Sequence, residues 1–177
     1  MTVSKSGLES ALKTFFTPPS EGGSLPQDSD PTDHQKACAK LWADAMQTYV
    51  AGAYPGPSPA LAGTASANLQ TALEGVFAGW YAQGDYPPDK CAALNAAFDA
   101  FAAEIFASPV PLYLARAWIG LTPPSPIDFC SLGTADDYAT AASNFANLID
   151  SWFTTGVSKT TDDNPPAGKP PLTEIWS

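Results

Sequence analysis

An all-α fold is what the sequence predicts: a bundle of about four main helices with Pro-rich extended N- and C-terminal arms. Three features predict it. Apolar residues recur three and four positions apart along several long stretches. Capping signals open those stretches, and the 18 prolines fall between them or at their starts, where they end or begin helices. A length of 177 residues is enough for one ordinary domain with its own core. The expected division is a short helix and arm over 1–31, a helical domain over 32–156 and an extended arm over 157–177.

Ser6-Gly7-Leu8-Glu9 fits a capping box, after which Leu8, Leu12, Phe15 and Phe16 share one face until Pro18-Pro19 stops the helix. Thr32 and Gln35 suggest a second box. The helix behind it carries Cys38, Leu41, Trp42, Ala45, Met46 and Tyr49 on a stripe reaching about Ala51. Ser58-Pro59 starts a third helix, with Leu61, Ala65, Leu69, Leu73, Val76, Phe77 and Trp80 as its apolar positions. Only Glu74 is charged between Ala60 and Gln83, so this helix is expected to be central, with Gly84 as its stop. A fourth begins near Pro87-Pro88 and carries Cys91, Leu94, Phe98, Phe101 and Ile105. Residues 108–132 read as an irregular crossover with one short helix at Leu112–Trp118. Thr134 and Asp137 open a fifth helix with Tyr138, Ala141, Phe145, Leu148, Ile149 and Trp152 inward and Gly156 as its stop. Val157–Thr161 alternates weakly, as a short strand would. An echo, Phe16-Thr17-Pro18-Pro19-Ser20 against Leu121-Thr122-Pro123-Pro124-Ser125, suggests two related halves.

Composition narrows the function. Net charge is -10, with Arg116 the single arginine and the lysines scattered, which argues against direct contact with nucleic acid. No apolar run approaches the ~18 residues a membrane-spanning helix requires. Charged residues make up only 15%, below the roughly 25% usual in soluble domains. A surface so poor in charge suits burial in an assembly. Cys38, Cys91 and Cys130 are far apart in sequence, and Met1-Thr2-Val3-Ser4-Lys5 lacks the apolar stretch of a secretory leader. The expectation is a protein made in the cytoplasm with reduced, partly buried thiols.

Reactive constellations are weak. His34 and Cys38 share a helix face at i and i+4, but a zinc site needs two more ligands. His34 is the only histidine and sits in a first helical turn behind a loop, a poor mount for a catalytic base. Asp136-Asp137 suits a helix N-terminus and Asp162-Asp163 a turn, so neither forms an acid/base dyad. Asp28, Asp30 and Asp33 lack the Gly and Glu that a calcium loop of the EF-hand type places after them. Trp80, Tyr81 and Trp118 belong more naturally to a core than to a ligand surface. The sequence therefore nominates no catalytic residue, no metal and no cofactor. Its candidate site is for a partner: Val157, Leu172, Ile175 and Trp176 on the C-terminal arm, set to add a strand to a partner's sheet or dock an aromatic anchor.

Four segments carry a family resemblance: Leu12-Lys13-Thr14-Phe15-Phe16-Thr17-Pro18-Pro19, Cys38-Ala39-Lys40-Leu41-Trp42-Ala43-Asp44-Ala45, Ala72-Leu73-Glu74-Gly75-Val76-Phe77, and Ile149-Asp150-Ser151-Trp152 with Thr155-Gly156. With them the chain resembles the small Ala-, Pro- and Trp-rich helical virion proteins of tailed bacteriophages, over most of its length. The resemblance implies a structural role in head, neck, tail or baseplate, other virion proteins or further copies of itself as partners, and no enzymatic activity. The competing expectation is a free-standing helical module holding a small hydrophobic ligand between the third helix and the Trp-rich segments.

Overall fold

The computed structural model describes residues 4–25, 30–52, 57, 59–81, 88–107, 110–112, 116–133, 135–162 and 173–175. Among these residues five helices form the body: α1 (Lys5–Phe16), α2 (Pro31–Ala51), α3 (Pro59–Tyr81), α4 (Pro88–Ala107) and α5 (Tyr138–Phe153). α1 lies against α5 and α2, α2 against α3, and α3 against α4. The expected all-α bundle is present. α3 packs against α2 and α4 with Leu69, Leu73 and Phe77 buried, but Thr64, Ala67, Asn68, Thr71 and Ala72 are exposed, so its scarcity of charge does not make it the central helix.

Local chemistry explains the helix ends, and it moves two of them. Ser4, not Ser6, caps α1, its hydroxyl accepting the Gly7 N–H at 3.0 Å. Asp30, not Thr32, caps α2 by accepting the Thr32 N–H at 2.8 Å, which leaves Pro31 at the first helical position where its missing donor costs nothing. Asp137 caps α5 through the Thr140 N–H. Thr134 and Gly84 lie outside the described residues. Behind α1 the chain turns through a 3-10 turn (Pro19–Glu21) and Gly22 at φ +93°, bringing the Ser24 N–H back to the Thr14 carbonyl.

The core is aromatic at its centre. Trp42 of α2 touches the rings of Phe15 and Phe16 from α1, Phe98 from α4 and Phe145 from α5. Phe129, from the segment before α5, closes the group against Phe98 at 4.7 Å. A second group joins Tyr49, Phe106, Trp152 and Phe153. Leu69, Leu73, Ile105 and Ile149 fill the space between helices and are fully buried.

The chain also builds an antiparallel sheet in the order β1-β2-β3-β4: β1 (Val110–Leu112), β2 (Arg116–Thr122), β3 (Val157–Asp162) and β4 (Thr173–Ile175). Two expectations change here. The short helix at Leu112–Trp118 is absent, and that stretch contributes to β1 and β2 instead. Pro111 has no N–H to donate to a helix and is tolerated on an edge strand, while the Trp118-Ile119 pair favours extended backbone. The segment from Val157 is indeed a strand, but it is not a free arm, because β3 pairs with β2 on one side and β4 on the other. A bulge between Gly120 and Thr122 adjusts the β2–β3 register, and β2 lies along α4. The sequence echo has no structural counterpart: Phe16 ends a helix, whereas Leu121-Thr122 ends a strand.

Candidate functional site

Of the four residues nominated for partner binding, two meet. Val157 on β3 and Ile175 on β4 are register partners, followed inward by Ser158 with Glu174 and Lys159 with Thr173. Leu172 and Trp176 lie outside the described residues. The pairing decides which strand a partner can extend. β3 pairs with β2 on one side and, over Val157–Lys159, with β4 on the other, so those three residues offer no edge. β1 and β4 are the outer strands. Pro111 interrupts the donors of β1, whereas Thr173–Ile175 contains no proline, which leaves β4 as the strand better built for augmentation.

No sequence signal announces the segment that fastens the helices beside the sheet. Between β2 and α5, residues 125–131 run as a strap over α4. Asn95 and Asp99, one turn apart on α4, accept the backbone N–H groups of Phe129 and Ile127, each at 2.9 Å. The side chains of Phe129 and Ile127 are both buried. At the other margin Trp152 Nε1 donates to the Ser125 carbonyl, and the Ser125 N–H reaches Thr155 Oγ1 at 3.2 Å. Cys91, one turn before Asn95, is disulfide-bonded to Cys130 of the strap, with Cα atoms 5.7 Å apart. The expectation of three reduced thiols is corrected for this pair. Spacing could not reveal it, because the two cysteines are 39 positions apart and the strands β1 and β2, whose path the sequence left open, lie between them.

The remaining candidates resolve into structural roles. Cys38 is free and partly buried; burial pushes its thiol up from 9.0 to about 11, opposed by a backbone hydrogen bond, which makes it a poor nucleophile at neutral pH. Asp137 is held below the usual carboxylate range by the Thr140 N–H and then the Thr140 hydroxyl, as befits a cap. Tyr49 Oη donates to Asp150 Oδ1 at 2.8 Å, tying α2 to α5, and burial followed by this carboxylate pushes the phenol well above its ordinary range. Among the described residues no group of three His, Cys, Asp or Glu is placed to hold a metal ion.

A half-open groove of about 340 Å³ lies between α1 and α2, floored by Leu8, Leu12, Ala45 and Tyr49 with Thr14 and Thr48 at its rim. It is not where the ligand-binding expectation put a pocket, since α3 takes no part in it. Among the described residues no helix is long and apolar enough to cross a membrane. No protein-family model matches the sequence, and no curated protein or solved structure matches it either.

Proposed function

We propose that this chain is a non-enzymatic structural subunit of a tailed-phage virion, in head, neck, tail or baseplate, joining neighbouring virion proteins through helical faces and its C-terminal strand. The observation that carries the reading is the scarcity of charge, 15% of residues, on a chain with a well-formed aromatic core. The core accounts for the buried apolar residues. It does not account for a surface so short of solvating groups, which suits contact with other proteins. The outer edge of β4 supplies a directional contact, since backbone donors and acceptors there can pair with a strand of the next subunit. The ligand-carrier alternative has less support, because the groove between α1 and α2 is half open rather than enclosed and takes no wall from α3.

Deleting residues 162–177 tests the connection directly. The shortened chain is expected to keep its far-UV circular dichroism nearly unchanged, because all five helices precede the cut. It is expected to fail to enter particles when supplied in place of the full chain. Normal incorporation of the truncated protein would reject the C-terminal segment as the connector.

A further inference from the structure

We infer that the Cys91–Cys130 pair is a post-folding latch: the dithiol chain folds with the strap already docked, and thiol–disulfide exchange beginning at Cys130 then locks it. The latch stands on the strap's geometry whether or not the chain is a particle subunit.

Two sets of contacts bring the sulfurs together without help from the bond. First, Asn95 and Asp99 hold the strap's backbone to α4 through Phe129 and Ile127, whose side chains enter the core at 5% and 3% exposure. Second, Asp128 caps the 3-10 turn at Phe129–Ser131. Its Oδ1 accepts the Cys130 N–H at 3.0 Å and faces Asn95 Nδ2 at 3.4 Å, while the Ser131 hydroxyl closes onto the Asp128 carbonyl at 2.7 Å. Asn95 therefore binds both sides of the turn that carries Cys130. Cys91 lies four residues before Asn95, on the same face of α4. The apolar and polar contacts of the strap are those of a segment that docks by itself and presents Cys130 above Cys91.

Exposure sets the order of the chemistry. Cys130 is exposed and Cys91 is 5% exposed. A small disulfide such as oxidised glutathione reaches Cys130 first: the Cys130 thiolate, its proton lost to water, attacks one glutathione sulfur, forms a mixed disulfide and releases one glutathione thiolate. The Cys91 thiolate, likewise deprotonated, then attacks Cys130 Sγ, forming the protein bond and releasing the second glutathione thiolate. Each released thiolate takes up a proton. The protein gives up two electrons and the glutathione disulfide gains them. Cys38 takes no part, being free and buried enough that its thiolate is scarce. A chain of this design completes its fold in a reducing compartment and is locked on leaving it.

The test uses the full chain purified under reductant and then given oxidised glutathione. The reduced protein is expected to show three alkylatable thiols after denaturation and the same near-UV circular dichroism as the oxidised one, since Trp42, Phe98 and Phe129 are already packed. Oxidation is expected to leave one thiol, with a transient glutathione adduct mapped to residue 130, and to slow proteolysis within residues 123–133 by about tenfold. Cys130→Ser is expected to retain the near-UV signal and all remaining thiols, and Asn95→Ala to slow closure by about tenfold. Loss of the near-UV signal in the reduced wild type would overturn the latch, making the bond a precondition of the fold. Three thiols persisting after oxidation, or a stable adduct at residue 130, would overturn it as well.

Discussion

Trp42→Ala is expected to destabilise the protein by about 3–5 kcal/mol, the cost of emptying a large aromatic site that its surroundings cannot refill. Trp42 is 5% exposed, and it is the ring on which the other elements converge. Phe15 stands 5.7 Å away in α1, Phe98 5.6 Å away in α4, Phe145 5.5 Å away in α5 and Phe129 6.4 Å away in the strap. These neighbours are anchored on four different segments, so none can move into the vacated space without leaving another gap. Urea unfolding followed by near-UV circular dichroism measures the effect. Trp42→Phe, which retains an aromatic face, is expected to lose less than half as much. A loss below about 1 kcal/mol in the alanine variant would mean that the aromatic group is not the centre of the core.

Gly156→Ala is expected to cost about 1–3 kcal/mol through overpacking. Gly156 is buried just beyond α5, and a Cβ there would run into the ring of Phe106 at Cζ and Cε1. Phe106 is 2% exposed and packed at a tilt with its ring centre 5.5 Å from that of Phe153, so the ring has no room to retreat. Gly75 provides the opposite case. It lies inside α3 with open space where its Cβ would be, and Gly75→Ala is expected to stabilise the protein by up to about 1 kcal/mol through helix propensity. Thermal midpoints that shift in the same direction for both variants would contradict the packing argument.

The helices were legible because their signal is local. Spacing placed Leu8, Leu12 and Phe15 on one face of α1 and Leu69, Leu73 and Phe77 on one face of α3, and all six are buried. Pro59 and Pro88 marked two helix starts. What stayed hidden depends on contacts distant in sequence. Strand β2 finds its partner roughly forty residues later in β3, and no periodicity within seven residues announces that choice. The strap is invisible for the same reason: Asn95 and Asp99 look like ordinary polar positions on α4 until the amides of Phe129 and Ile127 lie beside them. Caps shifted by two residues at α1 and α2 because Ser4 and Ser6, and Asp30 and Thr32, are competing oxygen acceptors, and only the folded geometry selects between them. At the candidate site the sequence singled out the C-terminal segment and its extended character, but the pairing of Val157 with Ile175 makes β3 an inner strand and leaves β4 at the edge.

We propose that this chain acts through surface that other proteins cover. Quantitative mass spectrometry of gradient-purified particles, made from the genome that encodes the chain, measures this most directly. A fixed copy number relative to the main structural proteins, resistant to high-salt washing, is the predicted result. A chain left in the unassembled fraction as a free monomer, with the particles complete without it, would contradict it.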